Sequence, residues 1–434
     1  MERSVSRREF GRVVAGVIPG LALAKASFAD VLAHVSGRPG GGPDDETFWA
    51  ELRGQIMTPD GHAYMNSARL SPTPRPIYDN LVEYWRLMAV SPSENSSVYE
   101  QGQEAVRLKA ASFVGASPDE IAIVRNTTEG LVTVINGLDL EAGDEIIHSF
   151  HEHSSNLQPW KLRAQRHGVV LKEVPIPTPA DDPAEILTLF EDAITPRTKV
   201  ITVAHCTTVT GGFTPVKALA ALARDRGILC LVDGAHPLGQ IQYDLHDLGV
   251  DSYASPAHKW LGAPAGTGIL YVRGELVDRI WPNIVTQSWY QDVGARKYDR
   301  LSRRPWPQVE LLGDAIDYQL AIGRDRIERR IRALGTHLRS KAAEIPGVKL
   351  YTSNDPRLAA GMTTLSVGTL TGDIVHEHLL NRHNVYTSPR SRGPVYPADP
   401  AGFDGVRIST AYFNSFDEVD RVLEGLRELA SRRA

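Results

Sequence analysis

The sequence predicts an α/β fold, with a mainly parallel sheet in a large domain followed by a smaller α+β domain. Two observations predict it. Between about residues 64 and 310, short apolar runs alternate with helical stretches, and 200–204, 228–233 and 268–272 read as the clearest strands. Polar turns at Thr127, His153 and Asp233 fall at the C-terminal ends of such runs, where open α/β sheets bind ligands.

In chain order, the first 29 residues read as a leader. Ser6-Arg7-Arg8-Glu9-Phe10 precedes a moderately apolar run at 13–24, shorter than the roughly 20 residues a membrane span needs. Gly16, Pro19 and Gly20 make that run a poor helix. Ala24-Lys25-Ala26 and Ser27-Phe28-Ala29 offer small-residue cleavage sites. The pattern resembles a twin-arginine export signal, which implies passage through the twin-arginine machinery and a periplasmic or secreted protein. Residues 30–63 read as a linker and N-terminal segment, with Gly37 to Asp45 as a flexible glycine-rich stretch.

The large domain, 64–310, opens its clearest unit with the strand 120–125, the turn Asn126-Thr127-Thr128-Glu129-Gly130 and a helix over 131–138. A strand at 145–147 leads to His151-Glu152-His153-Ser154-Ser155-Asn156. The small domain, 311–434, begins with an amphipathic helix at 311–332 and has strands at 348–351 and 363–367. It ends in a helix where Ser415 and Glu418 make a capping box, with Val419, Val422, Leu423 and Leu426 on the buried face. A net charge of −5 leaves no basic footprint for nucleic acid, and no internal repeat is visible.

Lys259 carries the chemistry. It stands in Ser-Pro-Ala-His-Lys-Trp-Leu-Gly among small and apolar neighbours, 26 positions after Asp233 at a strand end. A desolvated lysine is neutral enough to form a Schiff base, and a buried carboxylate keeps a pyridine nitrogen protonated. That pair suits pyridoxal 5'-phosphate; the alternative is a surface lysine in a loop. The turn at Thr127 and Thr128 opens a helix, so its free N–H groups and hydroxyls suit a phosphate, unless the threonines serve only as an N-cap. An imidazole at His153 can stack on a flat ring.

Taken in order, these segments resemble the class V aminotransferase family of fold type I pyridoxal phosphate enzymes, over about 64–420. That family includes cysteine desulfurases, isopenicillin N epimerase-like proteins and related lyases. The resemblance implies a seven-stranded-type sheet and a homodimer. It makes Lys259 the Schiff-base lysine, with His258 beside it, and Asp233 the partner of the pyridine nitrogen. His236, in Asp-Gly-Ala-His, and Thr208 fall near the ring oxygen; His153 stacks over the ring; Thr127 and Thr128 hold the phosphate. Arg407, in Arg-Ile-Ser-Thr-Ala-Tyr-Phe-Asn, grips the substrate carboxylate with its planar fork. Asn66 and Arg69 fall at the family's N-terminal substrate segment, where Arg69 is either a second anion contact or, the favoured reading, a solvated surface arginine, and Thr286 reaches a partner subunit's phosphate. The exported pyridoxal phosphate enzyme of pyoverdine maturation is similar in joining such a domain to a leader.

The departures bear on the reaction. Residues 385–396 hold no cysteine where desulfurases carry their catalytic thiol, and Cys206 and Cys230 read as core residues. Pro256 and Ala257 replace the family's serine before the His-Lys pair, leaving Ser255 to supply the lost phosphate contact. His148, His151 and His153 cluster, but no His-Glu-x-x-His run or cysteine pair supports a metal, so none is expected. His376 and His378, two apart on a helix, do not face each other. The expectation is thus an exported enzyme acting at the α-carbon of an amino acid or an amino-acid-bearing secreted metabolite, with transamination as the leading outcome. A C–S lyase or epimerase is the alternative, and a non-catalytic relic that binds the cofactor or an amino acid is the competing class.

Overall fold

The computed structural model describes residues 19–286, 289–392 and 402–431. After β1 (Ala63–Tyr64), a seven-stranded sheet is built from β2 (Ile121–Val124), β3 (Glu145–Ser149), β4 (Val170–Val174), β5 (Thr198–Ala204), β6 (Leu229–Asp233), β7 (Ser252–Pro256) and β8 (Gly268–Val272). Their spatial order is β2-β8-β7-β6-β5-β3-β4. β4, β3, β5, β6 and β7 run parallel, and β8 alone runs against both its neighbours. Helices cover the sheet, so β2, β3, β7 and β8 are buried along their whole length and β5 and β6 at all but one residue each.

The C-terminal part adds β9 (Val348–Leu350), β10 (Met362–Val367), β11 (Val385–Tyr386), β12 (Ser388–Arg392) and β13 (Phe403–Ser409). Four of them form an antiparallel sheet in the order β12-β13-β10-β9. β11 instead pairs in parallel with β1, so Ala63 and Met65 share the second core with Leu334, Leu338, Val406 and Leu426. The single helix expected over 311–332 is two, Trp306–Ile322 and Arg324–Ala343, broken at Gly323, whose φ of 100° suits only glycine. The first of them packs on the helices Arg75–Val90 and Pro92–Val114 in the main core. The second helix spans both cores: Ile327 and Ile331 belong to the main one, Leu334 and Leu338 to the second. The last helix, Phe416–Ser431, has its capping box: Glu418 N–H donates to Ser415 Oγ (3.0 Å) and Ser415 N–H to Glu418 Oε2 (3.1 Å).

From Pro19 onward the N-terminal segment is folded onto the rest of the protein. Pro19 begins a helix, Pro19–Ser36, because its missing N–H costs nothing in a first turn. That helix packs on Arg75–Val90 and Trp306–Ile322, burying Phe28 and Val35, and Lys25 Nζ meets the buried Glu310 carboxylate at 2.7 Å. Both expected cleavage sites lie within it. The Arg7-Arg8 pair lies outside the described residues. Gly37 to Asp45 is not a free linker either. Asp45 accepts from the N–H of Gly41 and of Phe48 (both 3.1 Å), Trp49 Nε1 donates to Gly42 O (2.8 Å) and Arg330 Nη1 to Pro43 O (2.6 Å). A chain starting at Asp30 loses Phe28 from the core and strips Glu310 of its cation. It is expected to be less stable by about 2–4 kcal/mol, discounted for the half-exposed Lys25. Thermal unfolding of the two lengths checks this, and equal midpoints would make the helix dispensable. Among the described residues no helix is long and apolar enough to cross a membrane.

Candidate active site

The loops following β2, β3, β5, β6 and β7 meet at the C-terminal edge of the central sheet and enclose a cavity of about 240 Å³. β6 ends on Asp233, which lines it. Gly234 follows because any Cβ there would fall 1.9 Å from the Tyr253 ring. The Asp233 carboxylate accepts the Ala235 N–H (2.9 Å). Burial raises its pKa, while the Lys259 ammonium opposes the rise.

Lys259 projects from the turn after β7, which is pinned by Ala257 N–H to Thr267 O (2.9 Å) and Gly262 N–H to Lys259 O (3.1 Å). Burial lowers its amine from 10.5 to about 8; Asp233 pulls the other way, and the Arg407 and Arg390 charges add to the fall. The cavity thus holds an amine that is substantially neutral near pH 8 beside a buried carboxylate, the pair the sequence predicted.

Thr127 and Thr128 open the helix Thr127–Gly137, whose N-cap is Asn126: its Oδ1 accepts from Glu129 N–H (3.0 Å). That removes the capping alternative and leaves both threonine hydroxyls on the cavity wall. Thr128 Oγ1 donates to Ser155 Oγ (3.0 Å), and Thr127 Oγ1 is buried without a partner. Gly130 lets the helix approach the sheet, since a Cβ would stand 2.8 Å from Ala254 Cβ. His153 caps the helix Ser154–His167 through its ring: Nδ1 accepts from Ser155 N–H (3.1 Å), which leaves the ring proton on Nε2.

Several polar atoms here wait for a ligand. His236 is buried with neither ring nitrogen bonded, and His258 Nδ1 is likewise without a partner. Burial pushes both histidines well toward the neutral form, His258 to about 4. Orphaned donors beside a free helix start, opposite a lysine and a carboxylate, fit a phosphorylated pyridine, whose phosphate Thr127 and Thr128 would hold and whose ring His153 and Asp233 would meet.

The remaining predicted residues fall less simply. Arg407 on β13 is fully buried behind the wall: Nη1 donates to Thr208 O (2.8 Å) and Oγ1 (3.0 Å), Nη2 to Asn66 Oδ1 (3.3 Å). Asn66, expected to touch substrate, is instead a buried positioning residue for Arg407, while Thr208 and Arg69 do line the cavity. Ser255 does not supply the phosphate contact; it is buried and donates to Gly234 O (2.8 Å), and Ser155 lines the cavity in its stead. Thr286 is half-buried and is not among the residues lining this cavity. The clustered histidines diverge, His151 Nε2 to Thr178 Oγ1 (2.9 Å) and His148 Nδ1 to Ser149 O (3.0 Å). His376 and His378 also separate, one to Thr387 and the other to Glu428.

Three residues escaped the sequence reading. Arg390 on β12 lines the cavity, and its only signal was the altered segment 385–396, of which 393–396 lie outside the described residues. Cys206, read as core, is buried but also borders the cavity, and burial raises its thiol pKa. Glu152 lies beneath the cavity, bonded by Asn156 Nδ2 (2.7 Å) and Ala204 N–H (3.1 Å), and burial raises it to about 7.

Comparison with known proteins agrees with this geometry. The aminotransferase class V family model matches residues 63–422. The isopenicillin N epimerase of Amycolatopsis lactamdurans is 30% identical over 410 residues, covering 88% of this chain and 99% of the epimerase. A probable cysteine desulfurase of Methanothermobacter thermautotrophicus is 29% identical over 406 residues, covering 88% and 98%. The apo structure of a cysteine desulfurase from Thermococcus onnurineus superposes with a TM-score of 0.78 at 25% identity, covering 88% of this chain and 98% of that one. The chain belongs to the aminotransferase class V family, with its fold type I architecture and pyridoxal 5'-phosphate as cofactor.

Proposed function

We propose that this protein moves a proton at the α-carbon of an amino acid, or of a metabolite bearing one, and completes a transamination in which a 2-oxo acid co-substrate accepts the amino group. The observation that carries this reading is the Lys259 amine, brought to about 8 in the same cavity as Asp233. Bound pyridoxal phosphate supplies an electron sink for the bond broken at the α-carbon. Lys259 would hold that cofactor through its amine, and the same amine, when free, would remove and return the α-proton. Asp233 maintains negative charge at the cavity floor, and His153 supplies a fixed ring wall. Thr127 and Thr128 would hold the phosphate. Arg407, held by Asn66 and Thr208, sets the positive field for the substrate carboxylate.

Epimerisation or C–S cleavage is the second reading, supported by the relatives. Persulfide-forming desulfuration is disfavoured: residues 385–396 lack cysteine, and Cys206 is a buried thiol whose raised pKa keeps it protonated. The discriminating experiment incubates the reconstituted protein with a panel of amino acids in heavy water. α-Deuteration with a 2-oxo acid supports transamination, α-deuteration of a D/L mixture supports epimerisation, and sulfide release supports the lyase. Full cofactor loading with no α-deuteration would sink the proton-transfer reading.

Two further parts of the proposal concern assembly and place. Exposed Tyr78, Val82 and Trp85 make a stripe on one helix, and exposed Trp281, Val285 and Tyr290 flank Thr286 in sequence. Both surfaces support a homodimer in which Thr286 serves the partner's phosphate. Export rests on the Arg7-Arg8 leader, and the packing of Lys25 and Phe28 restricts a compatible cleavage to a point before Lys25.

A further inference from the structure

One face of the cavity carries more positive charge than a single amino-acid carboxylate neutralises. In the β12–β13 ladder Arg390 pairs with Gly405 and Ser388 with Arg407. Residues two apart on a strand share a face, so Arg390 and Arg407 are diagonal neighbours on the same side of the small sheet. Arg69 enters from the opposite segment: its N–H bonds to Asn66 O (2.9 Å), and the Asn66 side chain holds Arg407. Arg69 and Arg390 both line the cavity, and Arg407 stands behind them.

No carboxylate among the described residues offsets this group. Arg390 is depressed by burial and by Arg69; Arg407 by burial, Arg390 and Arg69, with Cys206 and Tyr64 favouring its charge. The Nε atoms of Arg390 and Arg407 are buried without partners. Asp233 is the one acidic residue lining the cavity among those described, and it acts on Lys259. The phosphate has its own cradle at the start of the helix Thr127–Gly137, built without arginine. One α-carboxylate balances one guanidinium; a planar fork left over on a cavity wall selects a second carboxylate-like group.

We infer that the substrate carries a second anionic group besides its α-carboxylate, and that Arg69 and Arg390 bind it. The substrate class is then an amino acid, or an amino-acid-bearing metabolite, with a side-chain carboxylate. This rests on the reading above that the cavity takes an amino acid.

The test uses amine-free probes, so that it does not depend on turnover. Titration calorimetry of the reconstituted protein compares succinate, glutarate and adipate with the monocarboxylates of equal chain length. At least one dicarboxylate is expected to bind about tenfold more tightly than its monocarboxylate, and Arg69→Gln and Arg390→Gln each to cut that ratio toward the statistical factor of about two. A ratio of about two for every pair in the parent protein overturns the inference. So does a preference that survives in the double variant. Cofactor uptake is followed separately by the yellow absorption of the protein, so failure of the enzymatic reading and failure of the dianion reading give different results.

Discussion

Lys259→Ala is expected to lose turnover by about 10³-fold or more and to leave no cofactor fixed to the protein after borohydride reduction. The two readouts test separate roles of one amine: attachment and proton transfer. The substitution removes a cation that burial disfavours, so folding should survive it. The parent protein gives a pH test of the same residue. Its amine is lowered to about 8, so the neutral, nucleophilic fraction grows as pH rises through 8. Cofactor capture by the apoprotein should therefore accelerate across that interval, where an unperturbed lysine would need about two pH units more. Turnover that survives in Lys259→Ala would place the chemistry elsewhere. A parent protein that holds the cofactor and never turns over would be the binding relic.

Asp233→Asn should cost about 10²–10³-fold in turnover with little loss of stability. The carboxylate is buried, and burial raises its pKa, so an uncharged isostere relieves desolvation as it removes a favourable charge. The variant also makes a prediction about its neighbour. Asp233 favours the ammonium form of Lys259, so its loss should carry the lysine below about 8. The capture profile then moves to lower pH in Asp233→Asn. A profile that stays in place would mean that the two groups do not interact across the cavity.

The sheet was legible because its strands are short apolar runs ending in polar turns. Asp233, His153 and Thr127 fall where β6, β3 and β2 stop. Lys259 was legible from its small neighbours. What escaped depends on long-range pairing. Nothing local in Tyr-Thr-Ser-Pro-Arg tells that Arg390 lies diagonal to Arg407; only the β12–β13 register does. The same holds for Asn66, whose amide is spent on an arginine 341 positions later. Proline at 19 was read as a breaker because its place in the first turn is set by the helix that follows. The glycines at 37–42 suggested freedom, but Asp45, Trp49 and Arg330 anchor that stretch from outside it.

The parallel pairing of β1 with β11 joins Ala63 to Val385. During synthesis, β1 must wait for a strand made 322 residues later before either is paired. A ribosome adding about 5–20 residues per second imposes a delay of some 15 seconds to a minute. The central sheet, complete by Val272, has time to form and to present its cofactor turn before the second core closes over it. Loading during translation, ahead of closure, is therefore kinetically open to this chain, and any permutation that brings residues 63 and 385 together in sequence would shorten that window.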